Sequence, residues 1–470
     1  MLFPTVDFAI FFALVFLGHW MFNPKPLPWK LFMIGASYVF YAWWDVDFVW
    51  LLAGVSAASQ LGVLAVARQR DEMRKRIAMV AGVALTLTPL LYFKYYGFFS
   101  LNATNAASSL GLNLGLPLVQ LILPVGISFF TFMAISYIVD VYRGHTQVAS
   151  WIDVFLYLSF FPHLVAGPIV RPDELIPQLR VRRDPRHLDI AGSAWLIVGG
   201  LFKKVVVSSF LATTMVDPVF GDPSAHSAID AVFGILAYAI VIYADFSGYT
   251  DIAIGVAKLL GFQFPQNFDR PYSARSLQDF WRRWHITLSR WLRDYLYIPL
   301  GGSKRGEIRT YVNIVVTMVL GGLWHGAAWT FVFWGLYHGV GQAIGAWKRV
   351  HLPERAESPL MIWSQRLGTF ALVCGGWVFF RADSMATAFT LLGRLLLGWT
   401  TPTEVVTPLV VGTIALMLAL QYAPRGPGLA LQGAISRWRP VPIGLAGAAA
   451  LFVIATLGPQ GVAPFIYFQF

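Results

Sequence analysis

Long apolar runs dominate the hydrophobic pattern of this 470-residue chain. Most of them approach the roughly 17 to 25 residues that an α-helix needs to cross about 30 Å of hydrocarbon. Some runs are too short or too broken to cross alone, so the pattern predicts an all-α polytopic integral membrane protein with about 11–13 transmembrane helices plus re-entrant or interfacial helices. The runs lie near residues 7–22, 31–44, 48–66, 77–99, 113–140, 151–169, 189–216, 228–260, 309–325, 327–347, 367–380, 385–399, 405–422 and 441–468.

The composition agrees with that prediction. The chain is 57% hydrophobic and 13% charged, whereas soluble domains carry about 25% charged residues. No stretch resembles a soluble domain. We therefore predict a single membrane-embedded domain over 1–470, with N-terminal helices in 1–110, a core in 111–350 and C-terminal helices in 351–470.

The charged loops predict an orientation. Basic residues concentrate in the loop 67–76, whereas Asp45 and Asp47 occupy the preceding loop. Since positive loops stay cytoplasmic, we expect the N-terminus outside and the loop 67–76 inside. The first run lacks a basic start and a cleavage site, which is typical of a retained span rather than a signal peptide. The net charge of +11 then indicates topology and contact with anionic membrane lipids, and we expect no nucleic-acid partner.

One cysteine, Cys374, lies in an apolar run. A single thiol excludes an internal disulfide and a cysteine-based metal site, so we predict a packing role for it and no metal site.

Residues 262–310 alternate charged and aromatic side chains too closely for a span or a disordered loop. Ser276 and Asp279 resemble a capping box, and they predict a helix that runs to about Tyr297. This helix would place Arg282 and Arg293 on one face, and Arg283 and Arg290 on a neighbouring one. Its four arginines among tryptophans and tyrosines suit an interfacial or half-buried position.

The most informative polar group is His325, which stands between Trp324 and Gly326 in an apolar, glycine-rich run. An ionisable ring inside a membrane segment is costly and therefore indicates a function. His338 lies 13 residues further on. On one continuous helix the two rings would point to nearly opposite faces, so they act together only if the helix breaks, for instance at Gly321-Gly322 or at Gly326. His338 is equally compatible with packing.

Other polar groups in the apolar runs have a structural and a functional interpretation. His19 is expected to form an interfacial hydrogen bond. His163, between two prolines and a glycine, either caps freed backbone groups or lines a cavity. Asp245 and Asp251 are expected to pair with the arginine-rich helix, and the alternative is a proton path in a transporter.

Several catalytic signatures are absent from the sequence, including a phosphate loop, HExxH and GxSxG. With no serine nucleophile beside His325, the sequence favours general-base activation of a hydroxyl or thiol that arrives with the substrate.

These motifs together resemble the membrane-bound O-acyltransferase family, most of all its bacterial alginate O-acetyltransferase branch. The resemblance rests on Phe-Trp-Arg-Arg-Trp-His at 280–285 and Leu-Trp-His-Gly at 323–326. It extends to the segments 123–132, 161–169, 291–302 and 377–382, and so covers most of the chain.

The resemblance implies that His325 is the catalytic histidine and His285 a second functional histidine, on a re-entrant element that lines a central tunnel. It also implies a protein of the bacterial inner membrane that uses a cytoplasmic donor, expected to be acetyl-CoA, and holds no bound cofactor. Periplasmic SGNH-type partner acetyltransferases with a Ser-His-Asp site would complete O-acetylation of an exported polysaccharide, expected to be alginate. Arg282, Arg283, Arg290 and Arg293 would then meet the donor phosphates, or else pair with Asp279, Asp294 or lipid head groups.

Two alternatives stay open. Within the family, the chain could serve cellulose or peptidoglycan O-acetylation, or D-alanyl transfer to teichoic acid. Outside it, a proton-coupled transporter or flippase would use the same buried carboxylates and histidines.

Overall fold

A computed structural model of the chain describes residues 1–113, 116–117, 121–353 and 358–458. Within these ranges the regular secondary structure is helical and contains no β-strand, which confirms the all-α prediction. Parts of the predicted runs 113–140 and 441–468, and of the C-terminal segment 351–470, lie outside the described residues.

The chain divides into two compact units. Unit 1 contains residues 1–189 and 256–265, and unit 2 contains residues 190–255 and 266–470. The division of one domain into 1–110, 111–350 and 351–470 stays a prediction.

Unit 1 consists of nine α-helices among its described residues. They are α1 (Val6–Phe22), α2 (Pro26–Ala42), α3 (Phe48–Arg68), α4 (Glu72–Leu90), α5 (Tyr96–Ser109), α6 (Ile127–Tyr142), α7 (Trp151–Ser159), α8 (Phe161–Leu164) and α9 (Pro172–Leu175). Helix α3 approaches α4 closely at a pair of glycines, because a Cβ added to Gly62 would lie 3.1 Å from the Cα of Gly82.

Unit 2 is built mainly from long helices. They are α10 (Ile190–Leu201), α11 (Ser209–Leu211), α12 (Asp217–Gly221), α13 (Ala228–Leu259, whose last turn belongs to unit 1), α14 (Leu277–Arg283), α15 (Ile286–Leu292), α16 (Glu307–His325), α17 (Trp329–His351), α18 (Pro359–Arg381), α19 (Met385–Leu397), α20 (Pro408–Leu420), α21 (Arg425–Ile435) and α22 (Pro440–Leu457). Two π-helical segments join α10 to α12, and another follows α15.

Several helices are apolar enough to lie in a membrane. Four helical stretches of the described chain are both long and apolar enough to cross one, namely Phe48–Arg68, Glu72–Ser109, Ile190–Gly221 and Ala228–Leu259. Shorter apolar helices are Val6–Phe22, Ile127–Tyr142, Pro408–Leu420 and Val441–Leu457. The count of about 11–13 crossings stays a prediction.

The helix predicted from Ser276 to Tyr297 is wrong in one respect, because it breaks in the middle. Ser276 caps its start as expected, with its side chain accepting a hydrogen bond from the backbone of Asp279. At His285 the backbone turns to a φ of 42°, in the left-handed region, and α15 begins on the other side. Sequence periodicity cannot reveal this break, since no proline or glycine marks it.

The predicted pairing of Asp245 and Asp251 with the arginine-rich helix is also wrong. Asp245 forms a buried ion pair with Lys204, and Asp251 pairs with Lys203. Both lysines follow Gly200, where the backbones of α10 and α13 come so close that a Cβ on Gly200 would lie 2.6 Å from the carbonyl oxygen of Gly248. A lysine pair inside the apolar run 189–216 was the signal for these partners.

Helices α16 and α17 pack closely against each other in unit 2. Glycines permit the contact, since a Cβ on Gly335 of α17 would lie 2.8 Å from the Cα of Val319. The chain turns between them at Gly326, one of the two places predicted for a break, whereas α16 continues through Gly321 and Gly322. A Cβ on Gly326 would overlap the ring of Phe331.

We predict that Gly335→Ala destabilises the protein by about 1–3 kcal/mol, because the new methyl group presses on the backbone of α16. The midpoint of thermal unfolding in detergent measures the effect. The matched control is Gly345→Ala on the same helix, where the nearest atom to a Cβ is 3.7 Å away at the end of the Arg349 side chain. The control should be neutral or stabilising by up to about 1 kcal/mol, and equal midpoints for the two variants would contradict the packing argument.

Candidate active site

The segment just before α14 supports the break at His285. Asn267 accepts a hydrogen bond from the backbone N–H of Ile286 through its own carbonyl oxygen, at 2.9 Å. The backbone N–H of Asp269 donates to the carbonyl of Arg283, also at 2.9 Å. These bonds satisfy backbone groups that the helix interruption would otherwise leave unpaired in a buried place.

The side chain of Asn267 also fixes the orientation of the His285 ring. Its Oδ1 accepts from the backbone N–H of Thr287 at 3.1 Å and from the Thr287 hydroxyl at 2.9 Å, and it lies 3.2 Å from His285 Nδ1. Because the backbone N–H can only donate, this Asn267 atom is the amide oxygen, and His285 Nδ1 must carry the proton. The lone pair of the ring is therefore on Nε2.

The His285 ring is fully buried. It meets Phe246 edge to face at 4.6 Å between ring centroids and Trp324 at 6.0 Å. Exclusion of water lowers the pKa of this imidazole below its ordinary value, since burial disfavours the charged form. The ring is thus neutral at pH 7 and able to accept a proton or a hydrogen bond on Nε2.

His325 ends α16 in a cage of aromatic rings. Its side chain is buried, at 3% exposure, and its ring meets Trp324, Trp334 and Phe380 at 5.0, 5.1 and 5.1 Å between centroids. Trp324 contacts both His325 and His285, so one tryptophan connects the two predicted catalytic histidines. Such a cage excludes water and leaves the imidazole as the polar group at its centre.

His338 lies in the same aromatic cluster. Its ring contacts Trp334 at 5.0 Å and Trp281 at 5.4 Å, and within the described ranges neither ring nitrogen has a hydrogen-bond partner. A Cβ on Gly376 would lie 2.5 Å from His338 Nε2, so only glycine leaves room for this ring. The geometry fits the packing interpretation of His338.

A cavity of about 510 Å³ lies beside this cluster in unit 2, and we call it the first cavity. Its lining includes four arginines, three of which were predicted to meet donor phosphates. The lining residues are Gln278, Trp281, Arg282, Ile286, Ser289, Arg290, Leu292, Arg293, Tyr297, Ser303, Ile314, Thr317, Met318, Gln342 and Arg349. No Asp or Glu is among them, so the cavity is positively charged, although Arg293 also bonds Asp294 at 2.6 Å.

Neither His325 nor His285 is among these lining residues, but contacting rings connect His325 to the first cavity. Trp281 lines the cavity and meets Trp334 at 5.6 Å, and Trp334 meets His325 at 5.1 Å. An anionic group in the cavity and a reactive group at His325 would thus be separated by two indole rings.

Arg283, the fourth arginine predicted at this site, lies elsewhere. It donates to Asp279 at 2.8 Å and lines a second cavity of about 360 Å³. Consecutive residues on a helix point about 100° apart, so Arg282 and Arg283 face different cavities. The structure therefore supports the pairing with Asp279 that the sequence left open for Arg283.

The remaining polar candidates occupy structural positions within unit 1. His19 is fully buried in the protein and makes the expected hydrogen bond, which it accepts from the indole of Trp29 at 3.0 Å. His163 bonds the carbonyl oxygen of Tyr157 at 2.9 Å through Nε2, as expected for a ring that caps freed backbone. Cys374 of unit 2 is buried, which fits packing. In the described ranges, no three His, Cys, Asp or Glu side chains form a metal-binding group.

Sequence reasoning missed Asn267, which positions His285, and Arg349, which joins the first cavity from the end of α17. Asn267 had a signal, since it is an uncharged polar residue inside the aromatic segment 262–272. Arg349 had none, because it lies far along the chain from the arginine-rich segment and only the fold brings them together.

Comparison with known proteins shows a family and several individual proteins to which this chain is similar. The model of MBOAT, the membrane-bound O-acyltransferase family, matches residues 37–347. A probable alginate O-acetylase, AlgI, of Azotobacter vinelandii is 40% identical over 405 residues, which cover 84% of this chain and 78% of the relative. The peptidoglycan O-acetyltransferase of Helicobacter pylori is 35% identical over 424 residues, covering 83% and 78%. The teichoic acid D-alanyltransferase of Bacillus subtilis is 26% identical over 221 residues, covering 45% and 55%.

We predict that Asn267→Ala lowers acyl transfer at least about tenfold, because His285 loses the acceptor that fixes its tautomer. The rate of acyl transfer by purified, folded protein measures this. Asn267→Asp keeps an oxygen for all three donors and should retain more activity than Asn267→Ala. If Asn267→Ala works at the native rate, the positioning role is wrong.

Proposed function

The chain belongs to the membrane-bound O-acyltransferase family, and within that activity we propose that it transfers acetyl from cytoplasmic acetyl-CoA towards an exported polysaccharide. The observation that carries the proposal is the buried imidazole of His325, caged by aromatic rings beside a cavity lined by four arginines. The protein would lie in a bacterial inner membrane, with the first cavity on the cytoplasmic side, where positive charge concentrates.

The charge and shape of the first cavity support a nucleotide-linked donor. Coenzyme A carries several phosphate charges on a head group and ends in a long, thin thioester arm. Arg282, Arg290, Arg293 and Arg349 offer charge-assisted hydrogen bonds to the phosphates. The arm would then pass Trp281 and Trp334 to bring the acetyl carbonyl to His325.

His325 would act as the general base. The acceptor O–H gives its proton to the imidazole, and the acceptor oxygen forms a bond to the thioester carbonyl carbon. The C–S bond then breaks, and the departing thiolate takes the proton from the imidazolium. His285, neutral and held by Asn267, would orient or polarise a reacting group through Nε2.

Alginate is the acceptor that the relatives favour. The AlgI proteins reach 40% identity over 84% of this chain. Peptidoglycan is the second candidate, because the Helicobacter pylori enzyme covers nearly as much of the chain at 35% identity. Cellulose stays a further alternative, and D-alanyl transfer to teichoic acid is less favoured because those relatives match less than half of the chain. Periplasmic SGNH-type acetyltransferases with a Ser-His-Asp site would deliver the acetyl group to the polymer.

We predict that His325→Ala lowers acetyl transfer by about 10²–10⁴-fold, the contribution of a positioned base. Release of free coenzyme A thiol measures the reaction in membrane vesicles, and labelling of added polymer from acetyl-CoA measures it in vesicles that also contain the periplasmic partner. His187→Ala is the control, since the side chain of His187 is 83% exposed, and it should keep the native rate.

A folded His325→Ala protein with native activity would remove His325 from the mechanism. If the wild-type protein instead moves an intact solute and never consumes a thioester, the transporter interpretation is correct. The polymer that acquires the label, mannuronate-rich polysaccharide or peptidoglycan, identifies the acceptor.

We further predict that Arg282→Gln raises the KM for acetyl-CoA about tenfold or more, the cost of one charge-assisted hydrogen bond. The value of kcat should change little, because the phosphates do not react. Acetyl-pantetheine lacks the nucleotide phosphates, so its KM should be unaffected. The control is Arg68→Gln at the end of α3, and an unchanged KM for acetyl-CoA in Arg282→Gln would exclude this arginine from donor binding.

A further inference from the structure

The second cavity, of about 360 Å³, is a separate cationic site in unit 2. It lies on another side of α14 from the first cavity, and the proposed reaction does not use it. Its lining residues are Arg270, Ser273, Arg275, Arg283, Trp363, Arg366, Gln421 and Tyr422. Half of them are arginines and none is an acid, although Asp279 bonds Arg283 and Asp269 lies 3.8 Å from Arg270.

Two guanidinium groups in this cavity have unused hydrogen-bonding capacity. Within the described residues, Nε of Arg270 and Nε of Arg366 are buried and have no hydrogen-bond partner. Buried, unpaired donors on charged groups cost free energy unless a ligand or water completes them. The cost points to an anionic ligand with several acceptor oxygens.

The arrangement around Arg366 fits a phosphate group. Its guanidinium carbon lies 5.0 Å from the ring centroid of Trp363 and 5.4 Å from that of Tyr422. Contact with two aromatic rings restricts the position of the guanidinium group, and a guanidinium group is suited to bidentate hydrogen bonds with phosphate oxygens.

The backbone of Arg270 has an unusual conformation. Its φ of 47° lies in the left-handed region, where a residue with a side chain is strained. A hydrogen bond from its Nη1 to the carbonyl of Ala423 at 2.9 Å holds the side chain across the end of α20. Strained residues cluster at ligand-binding sites, and the side chain of Arg270, 33% exposed, lines the second cavity.

The position of the second cavity favours a lipid as the source of the phosphate. It lies where α18 begins and α20 ends, and α18 exposes Leu360 at 81% and Leu367 at 61%. In a membrane protein such apolar side chains face acyl chains, and Trp363 among them is typical of the interface between hydrocarbon and water. Basic pockets between membrane helices bind anionic head groups.

We propose that the second cavity binds the phosphodiester head group of an anionic phospholipid, with Arg270 and Arg366 as the principal ligands and the acyl chains along α18. The bound lipid would complete the unpaired guanidinium donors. The site is independent of the donor and of the acceptor polymer.

Native mass spectrometry of the detergent-purified full chain tests the proposal with phosphatidylglycerol and, as a zwitterionic comparison, phosphatidylcholine. We expect wild-type protein to retain phosphatidylglycerol preferentially and Arg366→Gln to weaken that binding about tenfold or more. Arg366→Lys keeps the positive charge without the planar guanidinium group, so its affinity for phosphatidylglycerol should lie between those of the wild type and Arg366→Gln. The matched control is Arg437→Gln, which removes the same charge from an exposed position and should bind like the wild type.

Three results would overturn the proposal. Equal retention of the two lipids by wild-type protein would exclude a site for anionic head groups. Native lipid preference in folded Arg366→Gln protein would exclude this cavity as the site. Displacement of phosphatidylglycerol by inorganic phosphate or coenzyme A at their own binding concentrations would assign the cavity to a soluble phosphate compound.

Discussion

Polar groups buried in a membrane protein must find partners inside the protein, and the active region of this chain depends on how Asn267 meets that requirement. The helix that should run from Ser276 to Tyr297 stops at His285, and a buried break would leave backbone groups unpaired. Asn267 satisfies them with its backbone carbonyl and its side-chain oxygen. The same oxygen fixes the His285 tautomer, so helix geometry and ring chemistry rest on one side chain.

Close backbone contact at glycines creates the environment of His325. Because Gly335 lets α17 lie against α16, Trp334 reaches the ring of His325 at 5.1 Å. A larger residue at 335 would push α17 away and open the aromatic cage to water. Stability and chemistry are therefore coupled at this helix pair, and the buried imidazole depends on residues that never touch a substrate.

Sequence patterns predicted the parts of this molecule that local chemistry determines. The length of the hydrophobic runs predicted helices, Ser276 predicted the start of α14, and Gly326 was one of two predicted places for the break after His325. The patterns failed where tertiary contacts determine the local backbone or the partner of a charged side chain. Nothing near His285 marks a helix break, because its cause is Asn267, 18 residues earlier. Likewise, Asp245 forms an ion pair with Lys204 rather than with an arginine, because the crossing of α10 and α13 brings Asp245 close to Lys204.

Some of the positive charge behind the net charge of +11 lines the two cavities, so membrane topology is not its only role. Arg282 and Arg283 are neighbours in the chain, yet they face different cavities because successive residues of a helix diverge by about 100°. One short helix thus presents cations in two directions. Under the two proposals above, lipid phosphates held in the second cavity would not compete with a polyanionic donor for the arginines of the first.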